Sequence, residues 1–388
     1  MSKPIAVVAA DCHLDHLIWR SRPEIRGDSA YGFWQTINAA KARKLPTVLA
    51  GDVVETLHAD SPNSDTVHVL CQAMSQMRQA SLHVYSTRGQ HDLADTDWLY
   101  ACGGYPPPTR QDRVNIGGRS FAFLPWMPPA MLQEVIPETS ADVVVCHQVW
   151  KELMGGSSSE GKLASFQNVS MVISGDYHRR VTKYVRRKSQ EPLYVLSPGA
   201  THMRKINEPT THCIAILHDD LSVKWVKLKS RKVVRVSITD EASIANLLRS
   251  LPVSLDEVAA ETAAKQMPSE LLTPLLIVSD TSDLLGVEAR LREVVGDRAH
   301  VFYSSRSLVA VDDEGFTPSG AEDYSLSEFV RSETGPDTAV ADLLESLLAP
   351  DANVPETIKT HEGWFLNAVT TEVKAGQRVP ARITRAGS

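Results

Sequence analysis

The sequence predicts an α/β protein with more than one domain. Three observations carry this: short buried-type apolar runs alternate with helix-period segments, strands then follow one another directly, and the alternation restarts near residue 233. The first series reads "IAVVAA" (5–10), a helix over 31–44, "TVLAG" (47–51), a helix over 65–80, then "LHVYST" (82–87). "FAFLPW" (121–126), "DVVVC" (142–146) and "VSMVIS" (169–174) continue it as buried strands. After residue 190, "LYVLS", "HCIAILH", "LSVKWVKL" and "KVVRVSI" read as an antiparallel end to the same domain. The second series has a helix at "ASIANLLRSL", a strand at 274–279, a helix over 284–295 and a strand at 300–305. Residues 312–324 read as a linker. Two short helices follow: Ser325 and Glu328 form a capping box for the first, and Gly335-Pro336 ends it. The second places Val340, Leu343, Leu344, Leu347 and Leu348 on one stripe. The last stretch, 351–388, has no strong pattern.

The chain of 388 residues is long enough for a substantial core. No apolar run approaches the ~18 residues that span a bilayer, and "MSKPIAVVAADCH" runs straight into a core strand without a signal-peptide pattern. Five scattered cysteines, never paired as CxxC, fit reduced thiols in a cytoplasm and argue against a disulfide framework or a zinc ribbon. "GSSSEGKL" (156–163) is a near-miss P-loop: Leu163 stands where Ser or Thr would hold Mg²⁺, and no strand precedes it. Net charge is −7, yet residues 176–235 carry 14 Lys+Arg against 5 Asp+Glu, a local +9. Such a block attracts a polyanion or decorates a solvated sheet edge; charge alone leaves both open.

The chemistry collects at strand ends. The first ends in Asp11-Cys12-His13, the next in Gly51-Asp52, the third in Gly89-Gln90-His91-Asp92, "DVVVC" in His147, and "VSMVIS" in Gly175-Asp176-Tyr177-His178. Ligands gather outside the carboxyl ends of strands in open α/β sheets. A lone Asp-x-His is more often a cap or turn, and a lone His a satisfied core residue. Five such ends in order are hard to explain structurally, because each buries polar groups that need partners. Carboxylate, imidazole and amide oxygen without thiolate favour Mn²⁺, Fe²⁺, Mg²⁺ or Zn²⁺. The ligands suffice for two ions, a pairing suited to phosphoryl displacement.

The ordered run "DCH", "GD", "GQHD", "CH", "GDYH" resembles the calcineurin-like metallophosphoesterases, whose pattern is Asp-x-His, Gly-Asp, Gly-Asn-His-Asp, His and Gly-His-x-His. The context "DCHLDHLIWRSRPEIRGDSAYGFWQTI" and the later "YVLSPGATHMRKINEPTTHCIAIL" are similar, more narrowly, to the SbcD-type DNA repair nucleases. The resemblance covers 1–230 strongly, 231–310 less so and 320–350 least.

It implies an αββα sandwich over 1–232, a small α/β capping domain that binds DNA over 233–311, a linker over 312–324, a helical hairpin over 325–350 and a tail over 351–388. Asp11, His13 and His178 would hold one metal, Gln90, His147 and Asp176 the second, and Asp52 would bridge both. His91 would act at the scissile phosphate, oriented by Asp92. Gln90 replaces the family's Asn, and Asp176 its His; both still offer oxygen donors, and Asp176 shifts preference toward Mn²⁺ or Mg²⁺.

The implied partners are double-stranded DNA, reached through Arg179, Arg180, Arg186, Arg187 and Lys188, and an SbcC-like SMC-family ATPase. The ATPase would be gripped by Phe329, Val330, Val340, Leu344, Leu347 and Leu348, within a heterotetramer built on a homodimer of this chain. The place of action would be the cytoplasm of a bacterium, or of a host if the gene is phage-borne. Two other readings stay open: a phosphodiesterase for non-DNA substrates, and a catalytically weakened scaffold.

Overall fold

A computed structural model describes residues 2–14, 28–56, 61–92, 96–105, 113–154, 160–188, 190–204, 208–265, 267, 271–280 and 286–304. The linker, the two C-terminal helices, the partner-binding stripe and the tail expected from the sequence all lie outside these residues.

Alternation of side chains builds the sandwich. In β1 (Pro4–Ala9), Val7 and Ala9 face one way and Val8 the other. Val7 and Ala9 pack with Phe33 and Ile37 of α1 (Asp28–Arg43) and with Leu70, Met74 and Met77 of α2 (Ser64–Gln79). Val8 packs into a layer shared with a second sheet, against Phe121 and Phe123 of β5 (Arg119–Leu124), Val143 and Val145 of β6 (Ser140–His147), and Met171 and Ile173 of β7 (Asn168–Gly175). The opposite faces of those strands present Ala122, Val144, Cys146 and Val172 to α4 (Pro129–Glu138), Trp150 and Phe166. Helices, sheet, sheet and helix thus form four layers, as the αββα expectation holds.

The first sheet runs β11 (Val223–Lys227), β10 (Cys213–His218), β1, β2 (Thr47–Ala50), β3 (Val84–Thr87). The second runs β4 (Val114–Ile116), β5, β6, β7, β9 (Gln190–Ser197), β8 (Val181–Arg187). β1, β2 and β3 are parallel, as are β5, β6, β7 and β9, so each set presents its carboxyl ends on one side. Short α3 (Trp98–Ala101) and α5 (Lys151–Met154) lie in the connections.

β12 (Val233–Ile238) corrects one expectation. "KVVRVSI" does not extend the antiparallel series; it pairs in parallel with β13 (Leu275–Asp280), which pairs in parallel with β14 (His300–Ser304), forming a three-stranded sheet. Its strand-like composition was legible, its partner was not, because pairing is settled by distant residues. α6 (Glu241–Ala264) and α7 (Val287–Val295) cover one face through Ile244, Leu251, Leu255, Leu291 and Val295. α6 is longer than the predicted "ASIANLLRSL": a capping box of Asp240 and Ser243 starts it, and it continues through Pro252 with Leu255 and Thr262 buried beyond. The five cysteines are free. Among the described residues no helix is long and apolar enough to cross a membrane.

Candidate metal centre

The carboxyl ends of β1, β2, β3, β6 and β7 converge, and much of the chain leaving them runs through backbone that L-residues avoid. Asp11 (φ 51°), His13 (40°), Asp52 (49°), Asp176 (75°) and His178 (54°) are all left-handed. They make up five of the eight non-glycine residues with positive φ among those described. A conformation that disfavours a non-glycine residue by about 1–3 kcal/mol is kept where surrounding structure imposes it, commonly at functional sites. The neighbouring glycines are sterically required. A Cβ on Gly89 would sit 2.0 Å from Asp52 Oδ1, and one on Gly175 would sit 2.1 Å from the Ala50 carbonyl.

The side chains meet in three groups whose ligand atoms lie within 4.8 Å of one another: Asp11, His13, Asp52 and His178; Asp52, His147 and Asp176; and His13, Glu55 and His91. Asp52 belongs to the first two. Several of these side chains are tied down at one end and left bare at the other. Asp11 Oδ1 accepts from the Asp176 amide at 2.9 Å, and Asp52 Oδ1 from the His91 amide at 2.9 Å. His147 Nδ1–H donates to the Ala50 carbonyl at 2.7 Å, and the Gln90 amide nitrogen to Asp176 Oδ1 at 2.8 Å. That leaves Asp11 Oδ2, Asp52 Oδ2, Gln90 Oε1 and His147 Nε2 buried without a hydrogen-bond partner. All four are acceptors in this tautomer, and His147 Nε2 faces Asp52 Oδ2 at 3.2 Å. Two lone pairs at that distance need a cation or a proton between them, so the donor set fits divalent metal.

The charges agree. Asp11 is fully buried, and burial, aided by repulsion from Asp52, pushes its carboxyl up to about 6 despite His178 and His147. Burial alone would lower His147, but the Asp52 carboxylate overrides it and lifts the imidazole to about 10. A proton on His147 Nε2 thus occupies the position a cation would take.

Three histidines share one arrangement. His13 Nδ1 meets Glu55 Oε2 at 3.1 Å, His91 Nδ1 meets Glu55 Oε1 at 2.5 Å, and His178 Nδ1 meets Glu208 Oε1 at 2.7 Å. Each carboxylate fixes the Nδ1–H tautomer and turns Nε2 inward, as supporting carboxylates do for metal-bound imidazoles. His13 Nε2 and His178 Nε2 stand 3.3 Å apart. Arg204 closes the ring: Nη2 donates to Glu55 Oε2 at 2.8 Å and Nη1 lies 3.2 Å from His13 Nε2, while its backbone amide donates to Glu208 Oε2 at 2.6 Å. Burial, with Arg204 next, holds His13 well below the usual imidazole range.

All seven candidate ligands therefore come together with His91. Asp92 does not do what the sequence reading gave it. Its carboxylate accepts from the amides of Val54 (2.8 Å), Gly89 (3.0 Å) and Val53 (3.2 Å), tying the end of β2 to the end of β3. Glu55 holds His91 instead. Sequence reading missed Glu55, Arg204 and Glu208, although Glu55 lies three residues after Asp52 in "GDVVE". A second correction concerns the basic set. Arg187 is not free for a polyanion: Nη1 donates to the Val169 carbonyl at 2.8 Å and the Phe166 carbonyl at 3.0 Å, and Nε to the Glu191 carbonyl at 2.8 Å. Arg180, Arg186 and Lys188 are exposed and Arg179 is half-buried.

No protein-family model matches the chain, and no curated protein matches it in sequence. Among solved structures it is similar to a novel archaeal phosphodiesterase, at 15% identity and a TM-score of 0.33, over 59% of this chain and 100% of that one. It is also similar to TT1561 of Thermus thermophilus, at 8% identity and a TM-score of 0.38, over 58% of this chain and 99% of that one.

Proposed function

We propose that the chain is a calcineurin-like, metal-dependent phosphodiesterase whose substrate is DNA, a nuclease of the SbcD type acting with an SbcC-like ATPase. The observation that carries the reading is the set of buried, unpartnered acceptors on Asp11, Asp52, Gln90 and His147. Asp11, His13 and His178 would hold one cation, Gln90, His147 and Asp176 the other, and Asp52 both. The oxygen-rich second group favours Mn²⁺ or Mg²⁺. When bound, the pair supplies Lewis acidity toward phosphate oxygens and acidifies water. The chain's own residues do the rest. His91, with Nδ1–H held by Glu55, turns Nε2 toward the phosphate; as an imidazolium it would present a second N–H there, to stabilise developing charge or protonate the leaving oxygen. Arg204, anchored on Glu55, adds positive charge at the rim.

Cleavage of linear duplex DNA in Mn²⁺, with and without His91→Ala, tests the reading. The substitution should lower the rate about 10²- to 10⁴-fold, the usual contribution of a positioned acid. Hydrolysis of a small phosphodiester without cleavage of DNA would instead mark a non-DNA phosphodiesterase; no hydrolysis of either would mark a scaffold. Co-purification of the two chains tests the pairing with the ATPase.

The basic block supports DNA as substrate. Because Arg187 is tied to carbonyls, Arg186→Ala with Lys188→Ala is the informative pair. Losing two phosphate contacts should weaken duplex binding regardless of sequence and flatten the dependence of log K on log salt by about 2. An unchanged slope, measured by titration at several salt concentrations, would put the duplex on another surface.

A further inference from the structure

The open edge of the sandwich carries a feature that the metal centre does not use. β8 is the last strand of its sheet and begins three residues after His178. Its side chains alternate: Val185 is buried against the helix-side core, while Thr182, Tyr184 and Arg186 face the other way and are exposed. Arg180 falls in the same period just before the strand. Tyr184 is 70% exposed, yet it is ordered by stacking on Tyr194, directly opposite in β9, with centroids 4.8 Å apart and planes at 29°. Tyr194 packs in turn on the layer between the sheets, which Trp225 of β11 also borders. The Arg180 guanidinium lies over the Trp225 ring, 5.6 Å from its centroid.

An edge decorated only against sheet-to-sheet pairing needs charge, not aromatic faces. Here an open tyrosine face stands between two arginines of its own strand period, inside the one basic block of an acidic chain. Aromatic faces with flanking cations bind unpaired nucleotides without regard to sequence, since every base has a π-face and every linkage a charge. Tyr184 is six residues from His178, so it lies no more than about 20 Å away along an extended strand.

We propose that the Tyr184–Tyr194 edge is a stacking platform for unpaired nucleotides, with Arg180 and Arg186 taking phosphates and β8 leading the strand toward the metal centre. This rests on the reading of the chain as a nuclease. The platform selects substrates with a single-stranded segment, an overhang or a frayed end, over fully paired ones.

Binding of a labelled single-stranded oligonucleotide and of a blunt duplex, by fluorescence anisotropy on the full chain with Mn²⁺ withheld, tests it, with folding checked by thermal melting. Tyr184→Ala should weaken the single strand roughly ten-fold or more and the duplex less than about two-fold, whereas Tyr184→Phe should keep both. An oligonucleotide with abasic sites should bind the unaltered protein as weakly as the intact one binds Tyr184→Ala. Equal loss on both DNAs, indifference to abasic sites, or unaltered single-strand affinity in Tyr184→Ala would overturn the platform while leaving the nuclease reading standing. So would a variant that instead dissociates a dimer of this chain. Failure of the unaltered protein to bind either DNA would overturn both.

Discussion

Replacing Asp52 with Asn is expected to lower bound divalent metal from two ions per chain to one or fewer, and to destabilise the metal-free protein as well. Both effects come from the loss of one buried carboxylate oxygen. Asn keeps an oxygen to accept from the His91 amide, so the local backbone survives. It places an NH₂ where Asp52 Oδ2 now faces His147 Nε2 at 3.2 Å, removing the carboxylate that holds a proton there and breaking a buried ion pair. It also removes a buried charge that helps hold Asp11 up at about 6. Metal loses the oxygen common to two of the three ligand groups. Elemental analysis after dialysis reads the occupancy. Thermal melting with and without Mn²⁺ reads the linkage: a ligand at 100 times its dissociation constant stabilises by about 2.7 kcal/mol, and that increment should vanish in the variant. Two ions per chain in Asp52→Asn would remove Asp52 from the bridging position.

Asp92→Ala is expected to damage folding before chemistry. Three amides, on Val53, Val54 and Gly89, converge on the Asp92 carboxylate. Truncation leaves them facing a void, and each buried unpaired donor costs about 1–3 kcal/mol. A loss of about 3 kcal/mol or more in denaturant unfolding should follow, with Asp92→Asn intermediate because one oxygen still accepts. Glu55→Gln makes the contrast. It should cost about 1–2 kcal/mol in unfolding, less than Asp92→Ala because one NH₂ opposes a donor while the other oxygen still accepts, but slow phosphodiester hydrolysis about 10- to 100-fold, the usual penalty for losing a carboxylate behind an imidazole. If Asp92→Ala instead folds with normal stability and only turnover falls, Asp92 acts on His91 and Glu55 does not.

The sequence alone determined most of the sandwich strands and the residues at their ends; it did not reveal β4, which is only three residues long, or the exposed edge strand β8. Those signals are local: a buried strand is an apolar run of a few residues, and a polar pair at its carboxyl end sits two or three positions further on. Asp11, His13, Asp52, Gln90, His147, Asp176 and His178 could be named from that spacing and the resemblance together. What the sequence could not set is which atom faces which. Left-handed backbone at Asp11, His13, Asp52, Asp176 and His178 aims these side chains, held in place by strands distant in the chain. Only the fold exchanged Asp92 for Glu55 behind His91, brought Arg204 and Glu208 to the rim, tied Arg187 to the carbonyls of Phe166 and Val169, and moved "KVVRVSI" into another sheet. Hydrogen bonds act over about 3 Å, between groups whose separation in sequence is here as large as 191 residues, as for Arg204 and His13. Local periodicity encodes which face of an element is buried; it carries no information about the partner that arrives from elsewhere in the chain.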